Sequence, residues 1–350
     1  MFPESFAEKW IKKLTKPGDT IFDPFSGRGT TALTALLTGR DVVACDVNEV
    51  AYCLTSAKAH PPALSTIKSR LNELEEEFHS SNHNRCGSKM DDFFTACFHP
   101  RTLAQLLHLR ESLRWRNNRC DNMIAALALG SLHGEAGPNS PYFSNQMPRT
   151  ISMNPAYSVR FWQERNLTAP KRDVFSILKD RASFRYESDM PKGNAQIFNS
   201  DMRLLPLRRK TWPIIKCVIT SPPYLNVTSF EEDQWLRLWF LGAPPRPMKG
   251  RISKDDRHLK AETYWEFIAD MWQSLDSMVA SKGHVIIRIG SRSMKSDVMK
   301  KGLIDAAALG DRKIRLVSSR VTELQKRQTG SFVPNSKGCR VELDCHFQYK

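Results

Sequence analysis

Two short stretches of this chain carry residues whose types and spacing could bind a ligand and act on it. The first, Asp23–Thr31, reads D-P-F-S-G-R-G-T-T. Its two glycines, Gly27 and Gly29, let the backbone turn tightly and approach a ligand where a Cβ would clash. Thr30 and Thr31 offer hydroxyls beside the free N–H groups of the helix that the following residues predict. This stretch, the glycine loop, is therefore a candidate cradle for a small molecule.

The second stretch, Ser221–Tyr224, reads S-P-P-Y. Consecutive prolines make a rigid, extended segment that has no N–H to donate, so it presents carbonyl oxygens and the Ser221 oxygen as acceptors. The ring of Tyr224 follows at once. Acceptors beside a stacking ring suit a planar substrate that carries an amino group. The alternative is a proline-rich turn with a packed tyrosine.

The elements around these stretches predict that they meet at one edge of a sheet. Residues 19–22 have strand character and precede the glycine loop. Residues 42–46 form a second apolar strand that ends in Asp46, and a carboxylate there suits the two hydroxyls of a ribose. Residues 216–220 form the strand that leads into the S-P-P-Y segment. Ligands of open α/β sheets lie beyond the carboxyl ends of the strands, so these features and Asp201 are expected to line one crevice.

The order of strands and helices predicts an α/β fold with a Rossmann-like, seven-stranded, mostly parallel sheet and a C-terminal antiparallel hairpin. The alternation of strands and helices stops at Pro61-Pro62 and resumes near residue 195. This places a catalytic domain at residues 1–60 and 195–350, with a mostly helical insertion at residues 61–194. The predicted strands are residues 19–22, 42–46, 195–198, 216–220, 284–289, 315–321 and 340–347.

The composition favours a polyanionic partner. The chain has 350 residues with 52 Lys and Arg against 37 Asp and Glu, a net charge of +15. Such an excess is most simply explained by nucleic acid, the alternative being a merely soluble basic protein. Eight scattered cysteines without a C-x-x-C pair fit reduced thiols. With no signal peptide and no long apolar helix, we expect a cytoplasmic protein that does not bind a membrane.

Together the two stretches resemble the S-adenosylmethionine-dependent DNA amino-methyltransferases. D-P-F-x-G-x-G-T-T is similar to their cofactor loop, and [DNS]-P-P-[YFW] is their catalytic motif. The serine form is most typical of enzymes that methylate the N4 amino group of cytosine, whereas enzymes acting on adenine N6 more often carry Asp or Asn. The resemblance covers about residues 2–60 and 195–290. Its order is unusual, because the catalytic motif often precedes this style of cofactor loop and here follows it.

The resemblance implies S-adenosylmethionine as the cofactor and duplex DNA as the substrate. The reaction would be direct methyl transfer to a flipped base in a restriction–modification system, whose cognate endonuclease would form no stable complex with this chain. The implied cofactor-binding residues are Asp23, Pro24, Phe25, Gly27, Gly29, Thr30 and Thr31 of the loop, Asp46 for the ribose, Asp201 for the adenine amino group, and Phe2 in a closing segment. The implied catalytic residues are Ser221, Pro222, Pro223 and Tyr224, which would hold the target base.

Several alternatives remain beside this interpretation. Methylation of a cytosine ring carbon needs a cysteine nucleophile, usually in a Pro-Cys pair, and the sequence has no such pair. Adenine-N6 methylation of DNA, a methyltransferase acting on RNA or on a protein amide, and a non-catalytic basic module stay open. No metal is predicted, because the spacing of the candidate zinc ligands matches no standard pattern. These candidates are His79, His83, Cys86, Cys97 and His99.

Two basic stretches are candidates for contact with DNA. Met147–Arg172 mixes arginines with aromatic residues, and Lys249–Lys260 follows the S-P-P-Y segment closely. Arg and Lys side chains would meet phosphates while a few side chains read base edges. The alternative for both stretches is an ordinary solvated surface.

Overall fold

The structure is a computed structural model. It describes residues 2–80, 91–134, 142–144, 154–208, 212–225, 230–248, 250–252, 255–291, 294–323, 339 and 341–350.

Seven strands of the described residues form one sheet. They are β1 (Thr20–Asp23), β2 (Asp41–Asp46), β3 (Ala195–Asn199), β4 (Ile215–Thr220), β5 (Val279–Ser291), β6 (Ile314–Glu323) and β7 (Val341–Tyr349). Their order across the sheet is β3-β2-β1-β4-β5-β7-β6. The strands from β3 to β5 run parallel, whereas β7 is antiparallel to both β5 and β6. The α/β fold predicted from the sequence, with its antiparallel C-terminal strands, is confirmed.

Helices connect and cover these strands in the described part of the chain. In chain order they are α1 (Glu4–Leu14), α2 (Thr30–Leu37), α3 (Glu49–Ala59), α4 (Leu64–Ser80), α5 (Asp92–Cys97), α6 (Pro100–Ser112), α7 (Arg119–Leu129), α8 (Pro155–Glu164), α9 (Val174–Arg185), α10 (Leu205–Arg208), α11 (Phe230–Asp233), α12 (Trp235–Phe240), α13 (Ala261–Asp276) and α14 (Ser296–Ala307). Short 3-10 turns lie at Met202–Leu204 and Arg257–Leu259.

The central strands of the sheet are buried on both faces, and successive side chains of each strand point to opposite sides. One face packs with α1 and α2 in a cluster whose strand residues are Ile21, Val42, Ala44, Cys217, Ile219 and Ile286. The other face packs with α13 and α14, and its strand residues include Phe22, Val43, Cys45, Val218, Val285 and Ile287. The central strands therefore need continuous apolar runs, and this explains why the sequence pattern located them so closely.

The chain divides into two compact units. The first comprises Met1–Ala59, Pro191–Thr228 and Gly250–Lys350, and it holds the sheet. The second comprises His60–Met190 and Ser229–Lys249. The second unit thus includes the segment Ser229–Lys249, which the sequence placed within the range of the catalytic domain.

An aromatic core explains why Ser229–Lys249 belongs to the helical unit. The ring of Trp235 lies 4.8 Å from that of Phe93, and the ring of Trp239 lies 4.5 Å from that of Phe94. The Arg110 side chain also donates to the Trp239 carbonyl over 2.8 Å. A half-buried guanidinium is stabilised by such acceptors, and the carbonyls in the last turn of a short helix are available to accept. Both contacts join residues far apart in sequence, so no local pattern predicts them.

Candidate active site

The carboxyl ends of β1, β2 and β4 carry the residues that the sequence analysis selected. Because β1 pairs in parallel with β2 on one side and with β4 on the other, the loops that follow these strands start side by side. The Thr220 hydroxyl at the end of β4 donates to Asp23 Oδ1 at the end of β1 over 2.7 Å. This bond joins the glycine loop to the residue directly before the S-P-P-Y segment, across 197 positions of sequence. The structure therefore brings the two stretches together.

Both glycines of the loop have the backbone conformation that favours glycine. The φ angle is +51° at Gly27 and +73° at Gly29. A Cβ on Gly29 would lie 2.8 Å from the Thr55 hydroxyl oxygen and 3.1 Å from the Thr55 backbone, so the loop must approach α3 without a side chain there. Among the described residues, a Cβ on Gly27 would meet only the Phe25 carbonyl, at 4.0 Å. The described part of the chain thus leaves space above Gly27 for a ligand.

Groups from β2 and α3 hold this loop in place. The Ser26 N–H donates to the Cys45 carbonyl over 3.0 Å, and the Gly27 N–H donates to Asp46 Oδ2 over 2.9 Å. The Lys58 ammonium donates to the Arg28 carbonyl over 2.6 Å. The centre of the loop, from Ser26 to Arg28, is therefore held by hydrogen bonds to its backbone groups.

Asp23 is buried at the centre of the site. Burial raises the pKa of its carboxyl to about 6, against the hydrogen bonds from Thr220, Thr31 and the Phe25 N–H, which lower it. The side chain is only 2% exposed. A carboxylate in this setting is costly unless a positive charge approaches it, because burial disfavours the ionised form.

Asp46 is half-buried at the end of β2. Its Oδ2 accepts from Gly27 and its Oδ1 accepts from the Asn48 N–H over 2.9 Å. Burial raises the pKa of this carboxyl, while the two N–H groups lower it. Each carboxylate oxygen can accept more than one hydrogen bond, so these contacts orient the group and leave acceptor capacity for a diol. Its assignment to the ribose stays a prediction.

Asp201 follows β3 and is engaged by Arg203. Arg203 Nε lies 3.0 Å from Asp201 Oδ1, and Arg203 Nη2 lies 2.6 Å from Oδ2. Burial would raise the pKa of Asp201, but the hydrogen bonds from Arg203 hold it below its usual value. Arg203 in turn pairs with Asp255 and Asp270. Contact of Asp201 with an adenine amino group stays a prediction, and it would have to share the carboxylate with this arginine.

The Ser221–Tyr224 segment leaves β4 and is held by side chains from distant elements. The Tyr264 hydroxyl of α13 donates to the Pro223 carbonyl over 3.2 Å. The Tyr224 hydroxyl lies 3.3 Å from Glu342 Oε1 of β7. Burial and the nearby Glu342 raise the pKa of Tyr224, whereas a hydrogen bond with Ser221 lowers it. The net rise keeps the Tyr224 hydroxyl protonated and able to donate at neutral pH.

The other predicted site residues occupy supporting positions. The Thr31 hydroxyl donates to the Ile219 carbonyl over 3.1 Å, and the Thr30 carbonyl accepts from the Thr34 hydroxyl over 2.9 Å. The ring of Phe25 lies 5.7 Å from that of Phe267 in α13. The Pro24 carbonyl accepts from the Cys45 thiol over 3.4 Å. The ring of Phe2 lies 4.9 Å from that of Phe6 in α1.

Sequence reasoning missed three residues that contact these stretches. Thr220 directly precedes the S-P-P-Y segment, and this position next to the motif could have marked it as a site residue. Glu342 is a charged residue inside the buried strand V-E-L-D-C-H-F-Q-Y. A buried carboxylate is costly without a hydrogen-bond donor or a positive charge beside it, so the sequence could have predicted such a partner. Tyr264 lies on the apolar face of α13, where nothing in the sequence distinguishes a donor hydroxyl from ordinary packing.

The basic candidates for DNA contact differ in how they are engaged. In the second stretch Arg257 lies 2.8 Å from Asp255 and 2.6 Å from Asp270, and Arg251 lies 3.5 Å from Glu49. These guanidinium groups are therefore held in ion pairs. In the first stretch, of which residues 154–172 are described, Arg165 lies over the ring of Phe161 at 3.7 Å.

The structure describes three of the five candidate zinc ligands, His79, Cys97 and His99. His83 and Cys86 lie outside the described residues. The ring of His99 accepts from the Arg101 N–H over 3.2 Å at the start of α6. Within the described ranges no group of three or more His, Cys, Asp and Glu side chains could hold a metal ion. In the same ranges no helix has the length and apolar character needed to cross a membrane.

Comparison with known proteins finds a match for the N-terminal part of the chain, which contains the glycine loop. Residues 1–57 match the model of the N6/N4 DNA methylase family. Over 53 residues the chain is 42% identical to the orphan methyltransferase M.BamHII of Bacillus amyloliquefaciens, a stretch that covers 15% of this chain and 20% of that protein. The chain thus matches about a fifth of the length of this curated relative. The resemblance to DNA amino-methyltransferases is confirmed over this segment, which contains the glycine loop and Asp46.

The matched segment also confirms S-adenosylmethionine as the predicted cofactor. The residues present fit it: the described part of the chain leaves space above Gly27, and the half-buried Asp46 carboxylate at the end of β2 can accept hydroxyl donors. A buried Asp23 carboxyl suits a cationic ligand, because a nearby positive charge favours its ionised form.

Solved structures give weaker likenesses that extend over the whole chain. TrmN from Thermus thermophilus is 12% identical, with 100% of this chain and 49% of that chain covered and a TM-score of 0.35. The rRNA methyltransferase AviRa from Streptomyces viridochromogenes is 11% identical, with 99% and 85% covered and a TM-score of 0.34. An rRNA methylase from Streptococcus thermophilus is 10% identical, with 100% and 97% covered and a TM-score of 0.33. At these scores the likeness carries no argument about substrate.

Proposed function

We propose that this chain is a site-specific DNA methyltransferase that methylates the exocyclic N4 amino group of cytosine in duplex DNA. The observation that carries the proposal is the bond between Thr220 and Asp23, which sets the glycine loop and the S-P-P-Y segment on adjacent strand ends. A site built from these two segments could bind a methyl donor at the glycine loop and a ring with an amino group at the S-P-P-Y segment. The net charge of +15 supports a polyanionic substrate.

S-adenosylmethionine supplies an electrophilic methyl group on a sulfonium centre. Asp46 would accept the ribose hydroxyls, and the backbone of the glycine loop would lie against the methionine portion. The positive charge of a bound sulfonium would favour the ionised form of the buried Asp23 carboxyl. These residues bind and orient the donor, which lowers the barrier by alignment.

The S-P-P-Y segment acts on the acceptor. A cytosine amino group is a poor nucleophile, because its lone pair is delocalised into the ring. Hydrogen bonds from the amino group to the Ser221 oxygen and to the Pro222 carbonyl favour a pyramidal nitrogen, whose lone pair can then point at the methyl carbon. The ring of Tyr224 stacks on the flipped base and keeps it in the site. As the new C–N bond forms, the bond between the methyl carbon and the sulfur would break with its electron pair left on the sulfur, and the nitrogen would release one proton to the solvent.

The Ser221 form of the motif favours cytosine N4 over adenine N6. The basic helical segment within residues 61–194 is the candidate region for reading the target sequence. A restriction–modification system, with a separate endonuclease that forms no stable complex with this chain, is the proposed setting.

The decisive experiment identifies the product nucleoside. Purified protein is incubated with unmethylated genomic DNA and S-adenosylmethionine that carries a deuterated methyl group, and the DNA is then digested for mass spectrometry. Labelled N4-methyldeoxycytidine is the expected product. Labelled N6-methyldeoxyadenosine would replace the proposal by the adenine alternative, and label found only in tRNA supplied in parallel would replace DNA by RNA. A parallel reaction without the protein serves as the negative control.

A calorimetric titration with S-adenosylmethionine separates an enzyme from a non-catalytic basic module. We expect saturable binding that Asp46→Ala weakens. A protein that binds DNA but gives no heat with the cofactor would contradict the proposed function.

A further inference from the structure

The hydroxyl of Tyr224 points at a buried carboxylate from the last strand of the chain. Its oxygen lies 3.3 Å from Glu342 Oε1, and Glu342 is only 5% exposed. Glu342 stands on β7 directly opposite Gly290 of β5. The side chain that follows the two prolines is therefore in contact with a residue 118 positions away in sequence.

Gly290 leaves the room that the Tyr224 ring occupies. A Cβ at Gly290 would lie 2.7 Å from Cε2 and 3.0 Å from Cδ2 of that ring. Since real Cβ atoms do not approach other atoms so closely, the ring lies directly against the β5 backbone. The ring is thus limited on one side by Gly290 and at its tip by Glu342.

Glu342 is not needed to neutralise the buried arginine beside it. Arg288 makes two hydrogen bonds to Asp344, of 2.6 Å and 2.8 Å, and its guanidinium lies 4.0 Å from the ring of Phe6. Glu342 approaches the same guanidinium at 3.3 Å. One arginine therefore faces two carboxylates. A second buried carboxylate costs free energy rather than adding stability, so its presence calls for another reason.

We propose that Glu342 is a positioning residue for Tyr224. By accepting the Tyr224 hydroxyl it holds the ring at the angle that receives the target base, and Arg288 holds Glu342 in turn. A ring fixed before the base arrives loses less rotational freedom on binding than a mobile one. The inference rests on the proposed function, because it assigns Glu342 a part in base holding at that same site.

The experiment is a double-mutant cycle on methyl transfer to unmethylated genomic DNA. Tyr224→Phe removes the donor, Glu342→Ala removes the acceptor, and Glu342→Gln keeps an acceptor oxygen. Each of the first two variants is expected to lower kcat/KM for DNA about tenfold, the effect of losing one hydrogen bond to a charged group. The double variant should lower kcat/KM for DNA by no more than about tenfold, because the two changes remove the same contact.

Glu342→Gln should recover kcat/KM to within about threefold of the original protein, since the acceptor is retained. The dissociation constant for S-adenosylmethionine should change by less than about twofold in every variant, because Glu342 acts through Tyr224 of the S-P-P-Y segment and not through the glycine loop. The control is Tyr349→Phe at the other end of β7, where the lost hydroxyl donates to Asp276 over 2.8 Å. It should leave kcat/KM for DNA unchanged.

A double variant that loses about a hundredfold would overturn the inference, because the two effects would then be independent. So would a Tyr224→Phe variant with unchanged kcat/KM, and this variant decides the matter even if Glu342→Ala does not fold. An original protein that transfers no methyl group to DNA would instead refute the proposed function.

Discussion

The glycine loop and the S-P-P-Y segment end adjacent strands, yet they are held by different means. The turn at the centre of the loop is fixed through backbone groups by residues close in sequence, such as Cys45 and Asp46 of the next strand. The S-P-P-Y segment is held by side chains of Tyr264 and Glu342, which lie 41 and 118 positions away. Residues 1–57, which match the family model, contain the turn together with both of its supporting residues.

The largest effect is expected where the loop approaches α3 most closely. Gly29→Ala should lower the free energy of unfolding by about 4 kcal/mol, because a left-handed φ and a clash with Thr55 act together. Urea unfolding measures this. Gly18→Ala is the matched control, since its φ is +85° and no atom of the described residues lies within 4 Å of the added Cβ. It should cost only about 1 kcal/mol, and equal losses would show that close packing on α3 does not define the loop.

The buried carboxyl of Asp23 gives the second prediction, a pH dependence of stability. Its pKa is raised from 3.8 to about 6, so the folded protein holds a proton that the unfolded chain releases between about pH 4 and pH 6. Stability from this group is therefore complete below pH 4 and is lost as the pH rises through 6. Asp23→Asn should raise the free energy of unfolding by up to about 3 kcal/mol at pH 8 and by almost nothing at pH 4. A gain of the same size at both pH values would contradict the argument.

Substitutions in the S-P-P-Y segment should lower kcat/KM for DNA and leave the affinity for the cofactor nearly unchanged. Tyr224→Ala removes the stacking ring, and a loss of about 2 kcal/mol, roughly thirtyfold in kcat/KM for DNA, is expected. Calorimetry should find the cofactor affinity nearly unchanged. Tyr224→Phe keeps the stacking ring and is the matched comparison, with only the about tenfold loss expected from its missing hydroxyl. A parallel loss of cofactor affinity would mean that the two segments are not separable in function.

The smallest effect concerns the hydroxyl that supports Pro223. Tyr264→Phe should lower the free energy of unfolding by about 1 kcal/mol and also reduce methyl transfer, because the Pro223 carbonyl loses its donor. Tyr186→Phe is the matched control, since the Tyr186 hydroxyl also donates to a proline carbonyl, that of Pro62, but in the helical unit. The control should lose stability without losing activity. Equal effects on activity would remove the proposed role of the Tyr264 contact.

Much of the sheet was predictable because its strands are buried on both faces. Continuous apolar runs such as Val42–Cys45 have few alternatives to a central strand. The helical unit was less predictable. The helix α9 depends on Asp173 as its N-cap and on a buried face of few residues. The helix α12 is only six residues long and depends on tertiary contacts with α5, so no periodic pattern marks it.

The sequence by itself determined the chemistry that this protein carries: two glycines that permit a tight turn, a carboxylate at a strand end, and a proline segment followed by a ring. These features depend on residue type and on short spacing, which local sequence records. Only the tertiary structure decided that Thr220 bonds to Asp23 and that Glu342 meets Tyr224. Such pairs depend on which strands become neighbours in the sheet, and burial of the whole apolar surface selects that arrangement rather than any one segment.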